Sequence, residues 1–177
     1  MHNELINGKG SVAVNLAHEQ TRLFMSWQRA AVDERFLVCA ETDPHITLIQ
    51  GVAPDIDIDA VRAALQGQGA AVATVDSFII LREVQPGVDV IALRVHSADI
   101  TKMRAKLTVA FGDTREDSEF VAHITLAYVR AESHKFLDGV QCESKQLLFD
   151  EVRVRNDDAD DADTFPLNYE EADDDDD

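Results

Sequence analysis

Two short stretches of this sequence combine residue types that can do acid–base chemistry. The tetrapeptide His-Ile-Thr-Leu occurs twice, beginning at His45 and at His123, so the two histidines lie 78 residues apart. Each copy lies in an apolar, β-branched run, which predicts a strand. Because side chains at positions i and i+2 of a strand share a face, His45 should lie beside Thr47, and His123 beside Thr125. Each strand would then present an imidazole and a hydroxyl above an apolar underside.

These four residues are suited to cleaving a phosphodiester. Histidine has an ordinary pKa of about 6.5, so it can accept or donate a proton near neutral pH. His45 and His123 could act as the base and the acid from opposite sides of one phosphate. The hydroxyls of Thr47 and Thr125 could donate hydrogen bonds to the phosphate oxygens. This scheme requires neither a metal ion nor a cofactor.

Two other interpretations stay open at the level of the residues. A single His-x-Thr pair on a strand is more often a surface pair or a core histidine than a catalytic group. The histidines could also be metal ligands, but a metal site usually needs three or four protein ligands. No His-x-x-x-His, cysteine cluster or paired carboxylate stands beside His45 or His123. The sequence therefore favours a site without metal.

The surroundings of the two motifs repeat as well. In each half an apolar strand and a helix-like run precede the motif; these predicted segments are residues 11–17 and 20–31 in the first half and 88–96 and 99–111 in the second. From Val14 to His45 is 31 residues, and from Leu93 to His123 is 30. The order strand, helix, His-x-Thr strand therefore occurs twice, which predicts an internal duplication.

With these motifs in place, the chain resembles the 2H phosphoesterase superfamily, whose members carry one His-x-Thr motif in each half. The resemblance covers roughly residues 10 to 155, and the second motif, His-Ile-Thr-Leu-Ala-Tyr, is especially similar. It implies an α/β fold of two pseudo-symmetric lobes, each an antiparallel sheet backed by helices, with a central cleft. It also implies that His45 and His123 are catalytic and that Thr47 and Thr125 bind the substrate phosphate.

The resemblance also implies an activity. The chain looks most similar to small phage-encoded members, among them the anti-CBASS nucleases that destroy cyclic oligonucleotide signals. The implied function is metal-independent cleavage of a phosphodiester in a small nucleotide or cyclic oligonucleotide, in the host cytosol if a phage encodes the protein. The alternatives are a 2′,3′-cyclic phosphodiesterase or RNA end-processing enzyme, and an acidic binding or decoy module on a 2H scaffold. Two intact motifs favour an enzyme, because a scaffold would not require them.

The charge of the chain is unevenly distributed. The net charge is −18, and residues 157–177 contain twelve acids and no lysine or arginine. Blocks of like charge repel themselves and stay disordered. The sequence therefore predicts a bilobal domain over residues 1–156 and a disordered acidic tail over 157–177, in which the Phe165 to Tyr169 cluster is a plausible anchor. A domain as acidic as this one is poorly suited to binding long duplex nucleic acid, but it is compatible with a small anionic substrate.

Membrane and extracellular partners are not expected. The sequence has no apolar run of about eighteen residues and no basic-then-apolar start, so neither a membrane span nor a secretory signal is predicted. Cys39 and Cys142 have no metal-ligand spacing and are expected to be reduced in a cytoplasmic compartment. The oligomeric state is left open.

Several other polar residues are assigned by their position alone. His18 and His96 are predicted at matching places in the two halves, and His134 is predicted to be solvated. Tyr128 lies five residues after the second histidine, so on a regular strand it would face the core. Arg94 is undecided between a phosphate contact and an ordinary surface position.

Overall fold

The computed structural model describes residues 10–52, 56–112, 119–156 and 162–167. These residues form eight strands and three α-helices. The strands are β1 (Gly10–Leu16), β2 (Leu37–Ala40), β3 (His45–Val52), β4 (Ala71–Gln85), β5 (Val88–His96), β6 (His123–Arg130), β7 (Gln146–Arg155) and β8 (Asp163–Pro166). The helices are α1 (Thr21–Ala31), α2 (Ile58–Ala64) and α3 (Ala98–Phe111).

The strands form one antiparallel sheet built from two similar halves. Its order is β2-β6-β5-β4-β7-β1-β3, with β8 added beside β7. One half is β6-β5-β4, the other is β3-β1-β7, and the two join where β4 pairs with β7. Although β3 and β6 are not hydrogen-bonded neighbours, their Cα atoms approach within 8 Å, so the sheet curls to bring these strands together. This confirms the α/β fold of two pseudo-symmetric halves.

The register of the sheet shows the duplication directly. Val14 of β1 pairs with Ile46 of β3, and Leu93 of β5 pairs with Ile124 of β6. Val14 and Leu93, which the sequence spacing predicts to be equivalent, therefore pair with equivalent residues of the two His-x-Thr motifs. The predicted strand and helix that precede each motif are β1 and α1 in the first half and β5 and α3 in the second.

The helices start and end at residues with a clear local reason. Ser97 caps α3, because its hydroxyl accepts the N–H of Ile100. Gly112 ends this helix with a φ of 78°, which glycine adopts at little cost. The cap of α2 is Asp57, whose carboxylate accepts the N–H of Asp59. No helix in the described ranges is long and apolar enough to cross a membrane.

The core lies between the helices and one face of the sheet. Helix α1 packs against β6, and α3 packs against β3 and β4, so each of these helices supports the motif strand of the opposite half. The side chains that the helices and the sheet contribute to this core are wholly or almost wholly buried. They include Phe24, Ile46, Leu48, Met103, Ile124 and Leu126. Because strand side chains alternate, the side chains of the His-x-Thr residues lie on the opposite face.

Part of the acidic tail is folded onto this domain. Strand β8 pairs with β7, and Phe165 and Leu167 are buried at 6% and 5% exposure. The guanidinium of Arg62 lies 5.0 Å from the centre of the Phe165 ring. The prediction of a disordered tail is therefore wrong for residues 163–167. Phe165 and Leu167 alternate along the chain, so this acidic segment can pair as an edge strand with both side chains in the core. These two residues belong to the cluster that the sequence offered as an anchor. Residues 157–161 and 168–177 of the tail lie outside the described residues.

Candidate active site

The two motifs occupy the same place in their strands. His45 is the first residue of β3 and His123 is the first residue of β6. Both histidines, together with Thr47 and Thr125, are partly exposed, whereas the residues that alternate with them are fully buried. The predicted alternation is therefore present in both strands. Since β3 and β6 approach each other, the structure brings the strands that carry all four residues together.

A β-bulge follows each motif threonine. In both halves the pairing with the neighbouring strand skips the motif leucine, which is Leu48 in β3 and Leu126 in β6. A bulge inserts one extra residue, so it reverses the face on which the later side chains lie. As a result Gln50 and Tyr128 lie on the same face as the histidines. The core position predicted for Tyr128 is wrong, because that prediction assumed a regular strand.

The two imidazoles are fixed by matching hydrogen bonds. Nδ1 of His45 lies 2.8 Å from the carbonyl oxygen of Asp43, and Nδ1 of His123 lies 2.8 Å from that of Val121. A carbonyl oxygen can only accept, so Nδ1 must be the donor in both rings. In a neutral ring the lone pair is then on Nε2. Both motifs therefore hold the imidazole in the same way, with Nδ1 as the donor.

The surroundings of His45 favour the neutral imidazole. The pKa of His45 is lowered to about 4, mainly by burial, then by the positive charge of Arg153, and to a smaller degree by that of Arg155. The hydrogen bond to the Asp43 carbonyl and the Asp43 charge oppose this shift without cancelling it. Arg153 is almost completely buried and forms an ion pair with the Asp43 carboxylate. These surroundings therefore favour an uncharged His45 at neutral pH.

In the first half, polar residues flank the motif on the same face. Residues directly opposite each other in antiparallel strands share a face. His45 is opposite Asn15 of β1, and Asn15 is opposite Glu151 of β7. The Asn15 amide donates a hydrogen bond of 2.7 Å to the Glu151 carboxylate. The next row places Arg153 beyond Ala13, in line with Thr47.

In the second half, the corresponding positions are largely apolar. His123 is opposite Arg94 of β5, but the row of Thr125 continues through Ala92 to Ile79. Ile79 and Ala92 are buried and pack with a small cluster that also contains Val90, Leu81, Val121 and Tyr128. Thus the motif residues match in the two halves, whereas the row of the threonine ends at a cationic side chain, Arg153, in the first half and at an apolar one, Ile79, in the second.

The other histidines do not form a second pair. His96 lies on the face of Arg94 and His123, and its Nε2 is 3.7 Å from the Asp76 carboxylate. His18 is exposed at the start of a short 3-10 helix, one residue beyond the position equivalent to His96, so the predicted match is wrong by one residue. His134 is 1% exposed, and its Nε2 accepts the N–H of Asp33. It is therefore a buried structural residue and not a solvated one.

Sequence reasoning missed Arg153, although a signal was present. Strand β7 alternates charged and apolar residues, with Glu151, Arg153 and Arg155 on one face. Nothing in the sequence says that this face lies beside His45, because the pairing of β7 with β1 is a tertiary contact. The described residues contain no group of three His, Cys, Asp or Glu side chains that could hold a metal ion.

A family model agrees with this arrangement. The model of the 2′-5′ RNA ligase superfamily matches residues 19–160. The chain therefore belongs to this superfamily, the 2H phosphoesterases, and it is an enzyme of the phosphodiesterase class. No curated protein matches the chain at a significant level in a sequence search.

Solved structures with the same fold include bacterial and yeast proteins. TT0787 of Thermus thermophilus is 15% identical, with 90% of this chain and 95% of that chain covered and a TM-score of 0.63. E. coli LigT complexed with NADP+ is also 15% identical, with coverages of 90% and 95% and a TM-score of 0.54. Kluyveromyces marxianus Usb1 is 8% identical, with coverages of 90% and 98% and a TM-score of 0.56. LigT has also been solved with 3′-AMP, and Usb1 with uridine monophosphate.

Proposed function

We propose that this protein cleaves a phosphodiester bond in a small nucleotide or cyclic oligonucleotide by general acid–base catalysis between His45 and His123, without a metal ion. The carrying observation is the duplicated arrangement, in which each imidazole is held through Nδ1 and has a hydroxyl two residues along the same face. Thr47 and Thr125 donate hydrogen bonds to the non-bridging phosphate oxygens, where negative charge increases in the transition state.

The roles of the two histidines differ. His45 is the base, because its surroundings keep it neutral: Nε2 takes the proton of the attacking hydroxyl or water as the new P–O bond forms. His123 is the acid: it gives a proton from Nε2 to the leaving oxygen as the old P–O bond breaks. The Nδ1 hydrogen bonds hold both rings in place during these transfers, so neither imidazole has to reorient.

The relatives and the charges support a small nucleotide substrate. LigT has been solved with NADP+ and 3′-AMP, and Usb1 with uridine monophosphate. Arg153 and Arg155 place positive charge close to His45 in a chain whose net charge is −18. Within this class we favour a cyclic oligonucleotide signal, degraded by a phage-encoded enzyme in the host cytosol. Cys39 and Cys142 carry thiols and not a disulfide, which is compatible with that compartment.

A substrate panel tests this proposal. Purified protein is incubated with cyclic dinucleotides, cyclic trinucleotides, 2′-5′ oligoadenylate and 2′,3′-cyclic mononucleotides, in excess EDTA, and the products are resolved by chromatography. The control is the double variant His45→Ala/His123→Ala. Cleavage of a cyclic oligonucleotide by the parent protein alone supports the proposal. Cleavage restricted to 2′,3′-cyclic phosphates favours the end-processing alternative, and activity restored only by Zn²⁺ or Mn²⁺ contradicts the metal-independent scheme.

A further inference from the structure

A pocket opens beside the second motif histidine. It has a volume of about 230 Å³ and lies between the end of β5, the start of α3 and the segment that leads into β6. Its walls include Arg94, His96, Glu119, Phe120 and Val121. None of these residues has a part in the two-histidine mechanism beyond the Val121 carbonyl, which orients His123.

The pairing of β5 with β6 places the pocket close to His123. Arg94 is the cross-strand neighbour of His123, and Val121 lies two residues before that histidine. In the proposed mechanism His123 protonates the leaving oxygen. The part of the substrate attached to that oxygen therefore lies on the His123 side, where Arg94 lines the pocket.

Arg94 and Glu119 are the polar groups in the pocket that suit ligand binding. The Ser97 hydroxyl already donates to the Val72 carbonyl and accepts the N–H of Ile100. His96 lies 3.7 Å from Asp76. In contrast, Nε of Arg94 is buried and has no hydrogen-bond partner among the described residues. A buried donor without a partner is costly, so a ligand that supplies an acceptor would be favoured here.

The mixture of groups favours a nucleobase over a second phosphate. A phosphate would be repelled by the Glu119 carboxylate and would gain nothing from the Phe120 and Val121 walls. Guanine presents the acceptors O6 and N7, which match the fork of Arg94, beside the donors at N1 and N2, which match a carboxylate. Adenine instead presents an amino donor at the position of O6, which cannot accept from Arg94.

We propose that this pocket is a guanine-selective subsite for the leaving nucleoside, read by Arg94 and Glu119. The inference rests on the proposed function, because that function defines which side of the phosphate is the leaving side. It adds a base preference to the mechanism: at otherwise equal linkages, the enzyme should cleave the bond whose leaving nucleoside is guanosine.

Equilibrium binding tests the subsite without relying on catalysis. Titration calorimetry with 5′-GMP and 5′-AMP is performed on the parent protein, Arg94→Gln, Arg94→Lys and Glu119→Gln. The control is Arg130→Gln, at an exposed arginine 6.0 Å from the Phe36 ring at the other end of β6. The parent should bind 5′-GMP at least about 10-fold more tightly than 5′-AMP, the scale of one bidentate arginine contact. Arg94→Gln and Glu119→Gln should reduce 5′-GMP affinity towards that of 5′-AMP, and the control should not.

The outcomes separate the subsite from the proposed function. Equal parent affinities for the two nucleotides would overturn the guanine subsite, as would an equal loss of both in Arg94→Gln, which would mark a phosphate contact instead. Arg94→Lys keeps the charge but lacks the fork, so it should also lose the preference. Glu119 is exposed, so Glu119→Gln should fold. This variant therefore still tests the subsite if the Arg94 variants fail to fold. Selective binding without cleavage of any panel substrate would leave the subsite standing and refute the phosphodiesterase proposal.

Discussion

At the scale of residues, the two motif histidines have the same anchor but different neighbours. Each Nδ1 donates to the carbonyl two residues earlier, so the rings are held alike. His45 lies close to Asn15 and the buried Arg153, while His123 is opposite Arg94, which lines a pocket. In the proposed mechanism, this difference lets a duplicated motif supply a base in one half and an acid in the other.

The first prediction concerns the charge of Arg153. Burial and the Arg153 charge hold the pKa of His45 at about 4, and a base must be neutral to act, so kcat/KM should fall as pH decreases through about 4. Arg153→Met removes a charge that disfavours the imidazolium, so the pKa and the acidic limb of the kcat/KM profile should shift upward, towards the ordinary 6.5. Arg153→Lys keeps the charge and is the control. An unchanged limb in Arg153→Met would contradict the role of His45 as the base.

The sequence predicts the motif residues well and their neighbours poorly. His45, Thr47, His123 and Thr125 follow from a local rule, because alternation within one strand fixes their common face. Arg153 could not be assigned to the site in this way. Its place depends on how β7 pairs with β1, and pairing between segments so distant in sequence leaves no local pattern.

At the scale of elements, the two β-bulges and the edge strand β8 are the features that the sequence does not predict. Alternation in the second motif predicts a core position for Tyr128, but the skipped Leu126 reverses the face. Strand β8 was not predicted because the acidic composition of residues 157–177 outweighs the two apolar residues Phe165 and Leu167 in any judgement of disorder. In both cases tertiary pairing overrides a correct local rule.

The second prediction tests the role of β8. Phe165 is buried, so Phe165→Ala should lower the free energy of unfolding by roughly 3 kcal/mol, near the lower end for a buried phenylalanine. This corresponds to a decrease in Tm of roughly 6–12 °C, measured by calorimetry. Thr164→Ala, an exposed change in the same strand, is the control and should have little effect. A chain ending at Asn156 lacks β8 and should be destabilised at least as much. If Phe165→Ala and this shortened chain were both as stable as the parent protein, β8 would not stabilise the domain.

At the scale of the whole molecule, a strongly acidic chain has to attract an anionic substrate. The net charge of −18 repels such a substrate, and positive charge near His45 comes from Arg153 and Arg155. Charges in solution act over about a Debye length, roughly 8 Å at physiological salt. The acids of residues 168–177 therefore affect substrate binding only if they come near the cleft.

The third prediction separates the charge of the tail from its structural part. A chain ending at Leu167 keeps β8 but loses the acids that follow, so its Tm should equal that of the parent. The Michaelis constant should be equal or lower at low salt, because less negative charge opposes the substrate. Any difference should shrink as salt is added. An increase in the Michaelis constant that persists at high salt would mean that these residues bind the substrate, and a loss of a biological effect with activity retained would favour the binding-module alternative.

If His45 and His123 act as one acid–base pair, the turnover of their alanine variants on the best substrate of the panel should show it. Each single variant should lower kcat at least ~100-fold, the scale of one general acid or base. The double variant should lose much less than the product of the two effects, because the residues act as a unit. His18→Ala, at an exposed histidine, is the control and should keep the parent rate. A folded single variant that retains nearly the full rate would contradict the two-histidine mechanism.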